Sequence, residues 1–277
     1  MKLHIEHETV FHYNEPVCEA VGEVRLQPYD HDGQWLINFR LALDPPTGFE
    51  RITDRFGNAI HCYSVLPPHH QLTITAQSLV ETSNTPLLAA TAISLLERHE
   101  FCTPSKFVPL NDALADFARQ HTPSDANAEA SAYALMHAIA NNFVYERGST
   151  DISTTADAVL AGGRGVCQDF AHLLIALCRS QGLPARYVSG YFYDPALPPE
   201  TVLASHAWAE VFVAGRGWLA LDPTHNCAIG PQYVRVAVGR DYADAAPMHG
   251  VYQGSGHETL KVRVFIRVAD MQPTTTP

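Results

Sequence analysis

Polar and apolar residues alternate along the first eighty positions of the chain. In LHIEHETVFHY one parity carries Leu3, Ile5, Thr9, Phe11 and Tyr13, the period-two pattern of a strand buried on one face. GEVRLQP, QWLINFRLAL and QLTITAQSLVE predict further strands. RITDRFGNAIHCYSVL sets Gly57 and Asn58 between two β-prone runs, which predicts a hairpin. Several short strands separated by turn residues predict an antiparallel, sandwich-like β domain over residues 1–82.

The period changes after Glu81. ETSNTP reads as a polar connector ended by proline, and beyond it apolar residues recur at spacings of three and four in LNDALADFARQH and ASAYALMHAIANNF. A short helix is predicted over TTADAVLAG, running into Gly162-Gly163. In VCQDFAHLLIALCRSQG, residues Phe170, Leu173, Leu174, Leu177 and Cys178 form one apolar stripe, and Gly182 and Pro184 end the helix. ARYVSGYFYDP, SHAWAEVFV, GWLALDP and ETLKVRVFIRV then predict strands. The fold class is α+β, with a second domain over residues 83–277. The pattern leaves open whether the last strand, 258–268, completes that domain's sheet or returns to the first domain.

Charge removes one class of partner. With 18 Lys+Arg against 29 Asp+Glu the formal net charge is −11, and there is no basic run, so a nucleic acid is not the expected partner. No segment reaches the ~18 consecutive apolar residues of a membrane span. MKLHIEHETVFHY has no continuous apolar stretch of the secretory kind, so the expected location is the cytoplasm. The six cysteines contain no CxxC pair, and the adjacent pairs His61-Cys62 and His69-His70 point to opposite faces of their strands. Neither arrangement has metal-binding spacing.

The candidate chemistry begins at GGRGVCQDFAH. Cys167 follows a glycine-rich turn and opens the amphipathic helix, where unpaired N–H groups and the positive dipole end favour a thiolate. Cys178 is an internal control: it lies eleven residues on, about 16 Å along the axis, within the apolar stripe, and is expected to be inert. A nucleophilic thiol needs a base, and the base an orienting partner. His206 heads the strand of SHAWAEVFV, and Asp222 closes that of GWLALDP just before Pro223. The turn between these strands predicts a hairpin that sets the two residues side by side. Trp208 and Glu210 share parity with His206, and Trp208 either walls the site or fills core. Asp169 and His172 lie within about a turn of Cys167, where a place in the cleft and a charged or solvated helix position explain them equally. His225 sits in a turn, where a direct role is not expected.

These residues also carry a family resemblance. GVCQDFAHLLIALCRSQGLPARYVSGY, HAWAEVFVAGRGWLALDPTHN and VAVGRDYADAAP resemble the bacterial branch of the transglutaminase-like superfamily. LHIEHETVFHYNEPV, FGN and PPHHQLTITAQSLVE resemble the N-terminal β domain that accompanies that branch. The resemblance implies a papain-like core with a Cys–His–Asp triad on helix, strand and strand. The nucleophile then falls on Cys167, the base on His206 and the orienting carboxylate on Asp222. It implies thiol attack on an amide or related carbonyl, an acyl-enzyme, and release to water or an amine.

The resulting expectation is a cysteine-dependent amide hydrolase, a peptidase or amidase, acting on a peptide or amide substrate without cofactor or metal. A transamidase is the alternative that keeps the triad. A non-catalytic binding or scaffold module is the alternative of another class, because the N-terminal β domain leaves a role in binding a protein partner open.

Overall fold

The computed structural model describes residues 1–31, 33–83 and 92–269. From Asn84 onward the connector predicted over ETSNTP lies outside these residues. The chain forms two antiparallel sheets, one mostly built by the N-terminal third and one by the middle.

The first sheet is organised by a single long strand, β1 (Lys2–Val24). Its first half pairs with β5 (His69–Thr82) and its second half with β4 (Ala59–Val65). The register shifts between His12 and Val17, at the Asn14-Glu15-Pro16 stretch, where proline cannot donate to a ladder. β2 (Gln34–Asp44) lies outside β5, and β3 (Phe49–Thr53) outside β4. The hairpin predicted around Gly57 and Asn58 is the β3–β4 pair, with Ile52 opposite Ile60. A shared core of Val17, Val24, Leu41, Leu43, Val65, Leu72 and Ile74 fills the curl between the two halves.

The middle of the chain supplies α1 (Leu95–Cys102), α2 (Asp112–His121) and α3 (Ala128–Asn142), each capped by Ser94, Asn111 or Asn127. β6 (Val144–Tyr145), α4 (Ala156–Gly162), β7 (Arg164–Gly165) and α5 (Cys167–Ser180) follow. Next come β8 (Ala185–Phe192), β9 (His206–Val213), β10 (Gly217–Asp222), β11 (Cys227–Ala228), β12 (Tyr233–Gly239) and the short α6 (Tyr242–Ala245). The five strands order as β11-β10-β9-β8-β12. α5 is buried on all sides from Asp169 to Arg179, so its stripe is only part of its packed surface. It lies on the sheet face formed by Ala207, Ala209, Val211, Leu219 and Leu221.

The last two strands join the first sheet, one of the two destinations the sequence pattern leaves open for 258–268. β13 (Met248–Gln253) and β14 (Glu258–Val268) both pair with β1, β14 from Leu3↔Val268 to Tyr13↔Glu258. The physical reason is that β1 is long enough to offer an open edge along both halves. Val264 and Ile266 join Leu3, Ile5 and Val80 in a cluster that packs on Tyr191, Val234 and Val236 of the second sheet.

The two sheets are also tied by side-chain amides. Gln34 donates to the carbonyl of Arg235 and accepts its N–H, and Asn58 does the same for Val238. β12 is the edge of its sheet, and these amides occupy part of its open ladder.

Candidate functional site

Cys167 is the first residue of α5 and is half-buried. Its approach is fixed by β7, which pairs in parallel with β6, and by Asp169, whose carboxylate accepts the Val166 N–H at 2.7 Å and the Thr150 hydroxyl at 2.6 Å. Gly165 permits this: a Cβ there would lie 2.7 Å from Cβ of Asp169.

His206 opens β9 and Asp222 closes β10. In the register of these strands Leu221 faces Ala209, so Asp222 and His206 are diagonal neighbours on one face. His206 Nε2 donates to Asp222 Oδ2 at 2.7 Å. The Cys167 thiol lies beside the same ring, near enough to raise the ring's pKa through its charge and hydrogen bonding. Because Nε2 is taken by Asp222, Nδ1 is the nitrogen available to the thiol. The structure thus brings Cys167, His206 and Asp222 into one chain of contacts.

Asp222 is fully buried and accepts five hydrogen bonds. Oδ2 takes His206, His225 Nδ1 at 2.6 Å and the Tyr233 hydroxyl at 2.8 Å. Oδ1 takes the backbone N–H groups of Thr224 and His225. Burial alone would raise its pKa, but the bonds from His206 and His225 and their charges hold it well below the usual carboxylate range. For His206, burial lowers the pKa, whereas the bonds to Asp222 and Cys167 and their charges outweigh it and raise the value to about 9. Tyr233 keeps its proton: burial, and then the Asp222 charge, push its pKa far up. Cys178, the control, is fully buried, and burial pushes its thiol up to about 12 against the pull of Arg179.

Several neighbours differ from their sequence reading. Asp169 and His172 are not solvated: they are 1% and 0% exposed. His172 stacks on Phe107 and accepts the Tyr242 N–H, and burial drives its pKa down to about 3. Trp208 is core, packed at ring-centroid distances of 6.2 Å from His206 and 5.5 Å from Tyr233. Glu210 lies further along β9, paired with Arg186 and Arg235. His225 is bonded directly to Asp222, and Tyr233 was missed altogether. An aromatic at the head of a strand carries no sequence signal for a carboxylate eleven residues away.

Among the described residues no helix is long and apolar enough to cross a membrane. Residues 115–223 match the family model of the transglutaminase-like superfamily core, and residues 3–81 that of the bacterial transglutaminase-like N-terminal region. An uncharacterized protein of Mycobacterium leprae is 34% identical over 280 residues, covering 96% of this chain and 98% of its own length. A protein-glutamine gamma-glutamyltransferase of Pseudomonas aeruginosa is 33% identical over 132 residues, 43% of this chain and 19% of that protein. A structure from Cytophaga hutchinsonii, described as a proposed cysteine protease, superposes with a TM-score of 0.77 at 24% identity, covering 100% of this chain and 94% of that one, and so shares the fold. The chain belongs to the transglutaminase-like superfamily and carries both its core and the N-terminal region of the bacterial branch.

Proposed function

We propose that the protein is a cysteine-nucleophile amide hydrolase, a peptidase or amidase, with Cys167 as nucleophile, His206 as base and Asp222 as orienting carboxylate. The observation that carries this reading is the chain of contacts from the Cys167 thiol through the His206 ring to buried Asp222. With Nε2–H committed to Asp222, Nδ1 holds the proton given up by the thiol, in keeping with the raised His206 pKa, and the thiolate sulfur attacks the carbonyl carbon. The oxyanion forms beside the Cys167 N–H, which as a first-turn donor has no intrahelical acceptor. His206 passes its proton to the departing amine, leaving a thioester. It then takes a proton from water, whose oxygen attacks the thioester, and the carboxylate product leaves as the thiol is restored.

Water is taken as the acceptor because Cys167 is only half-buried, so that water can reach an acyl group carried there. The local similarity to a gamma-glutamyltransferase supports the competing reading, transfer to an amine. The six free cysteines suit a reducing compartment, and the cytoplasm is the proposed location.

Iodoacetamide labelling at pH 7 with mass-spectrometric mapping tests the assignment. Cys167 is expected to react far faster than other half-buried thiols such as Cys18, to lose at least tenfold in rate in His206→Ala, and Cys178 to stay unlabelled. A Cys167 rate equal to that of Cys18 sinks the reading. Peptide amides incubated with and without glycine ethyl ester then separate free acid from amine adduct.

A further inference from the structure

Asp222 Oδ2 is oversubscribed. Three donors converge on it at 2.7, 2.6 and 2.8 Å, while a carboxylate oxygen offers about two lone pairs. Two of these donors are imidazoles, and an imidazole nitrogen becomes a metal ligand once its proton moves to the other nitrogen. His206 Nε2, His225 Nδ1 and Asp222 Oδ2 all lie within 4.8 Å of one another. An ion bound at about 2.0–2.1 Å in tetrahedral geometry needs ligand separations of roughly 3.3 Å, which modest ring rotations would supply.

The surroundings suit a cation as well. Oδ1 is tied to the backbone amides of Thr224 and His225, which aims Oδ2 at the two rings. Phe192 packs against His225 at a ring-centroid distance of 4.4 Å, which confines the ring to small adjustments rather than large swings. The His225 side chain is 40% exposed, which opens a path from solvent to the otherwise buried carboxylate.

We propose that His206, Asp222 and His225 form a reversible inhibitory site for a first-row divalent cation, with Zn2+ the best match to two imidazoles and one carboxylate. The inhibitory part rests on His206 being the base. As the cation binds, the protons on His206 Nε2 and His225 Nδ1 leave, each for the other nitrogen of its ring where that is free and otherwise for solvent, so that each ring keeps one proton. The cation takes the two vacated lone pairs and Oδ2. Nδ1 of His206, the nitrogen that receives the thiol proton, then already holds one, and the thiol has no base.

Co2+ is the probe, because its visible bands report tetrahedral coordination and a sulfur ligand adds a near-ultraviolet band. The Cys167→Ser protein is expected to bind one equivalent with the tetrahedral bands. Adding His225→Ala is expected to weaken that binding at least tenfold with the far-ultraviolet circular dichroism unchanged. No Co2+ uptake by Cys167→Ser, or uptake that His225→Ala leaves intact, overturns the proposal. In the wild type, micromolar Zn2+ is expected to slow Cys167 alkylation at least tenfold, with recovery in EDTA. Equal slowing in His225→Ala overturns the proposal, since the ion would then sit on Cys167 and His206. If Cys167 shows no enhanced reactivity while Cys167→Ser still binds Co2+ through His225, the cation site is supported and the hydrolase reading falls.

Discussion

The Asp169 carboxylate holds the backbone nitrogen of Val166 at 2.7 Å, and so fixes the residue that immediately precedes Cys167. The third residue of α5 reaches back to the residue before its start, a capping contact made with a charged acceptor. The same oxygen takes the Thr150 hydroxyl, tying the segment before α4 to the helix start. Burial raises the Asp169 pKa, and the bonds from Thr150 and Val166 oppose that rise. Asp169→Ala is expected to slow Cys167 alkylation at least fivefold and to lower stability by about 2 kcal/mol. Asp169→Asn, which keeps an acceptor for Val166, is expected to do less of both. Urea unfolding and labelling of the three proteins check this. A stability loss with an unchanged labelling rate would show that Asp169 supports only the fold.

Gly190 lies opposite His206 in the β8–β9 register. A Cβ at this position would fall 2.2 Å from the Val234 carbonyl oxygen and 2.5 Å from the Trp208 ring. The backbone oxygen belongs to the neighbouring strand and cannot swing aside as a side chain would. Gly190→Ala is therefore expected to cost about 3 kcal/mol or more, the upper end of overpacking. It should also slow Cys167 labelling, because Trp208 packs beside the His206 ring. A protein of wild-type stability would mean that β8 and β12 separate more easily than their pairing implies.

Much of this arrangement was legible because it is local. Period-two alternation exposed the strands of the first sheet, and the Phe170–Cys178 stripe together with Gly182 bounded α5. Cys167 at a helix start, His206 at a strand start and Asp222 at a strand end follow from positions along the chain. What was not legible was non-local. The return of β14 to β1 depends on an open edge 250 residues away, and alternation in ETLKVRVFIRV is the same whichever partner it finds. Asp169 and His172 looked like polar helix positions because a helical wheel assumes one wet face. α5 has none over that stretch, since α2, α3 and α4 cover what the sheet does not. His225 and Tyr233 reach Asp222 through a turn and a strand head, where no periodicity operates.

The amide clamps on β12 predict a stability effect unconnected with the candidate chemistry. Asn58 is fully buried, bonds both the N–H and the carbonyl of Val238, and also donates to Asp54. Asn58→Ala strands two buried backbone groups and is expected to cost about 3 kcal/mol. Gln34→Ala, which strands the corresponding groups of Arg235, should cost a similar amount. The double variant should lose less than the sum, because the first loss already loosens β12 from the first sheet. Urea unfolding of the four proteins gives the coupling. Strict additivity would show that each clamp acts alone.

Acid should act on the joint between the two sheets. His7 is buried in β1, with Nδ1 at 2.9 Å from the Tyr191 hydroxyl of β8 and Nε2 at 3.1 Å from Thr9. Burial lowers its pKa from 6.5 to about 4. The folded protein therefore holds His7 neutral where the unfolded chain already binds a proton. Above pH 6.5 neither state is protonated and this contribution is whole. As pH falls from 6.5 towards 4, stability drops by about 1.4 kcal/mol per pH unit for this group, about 3 kcal/mol in all. His172, lowered to about 3, acts with the same sign. His7→Gln removes one titrating group while keeping hydrogen-bonding capacity. Its stability deficit relative to wild type is expected to shrink steadily between pH 7 and pH 4.5 in urea unfolding. A deficit constant across that range would show that His7 binds its proton equally in both states, and that the joint loosens in acid for another reason.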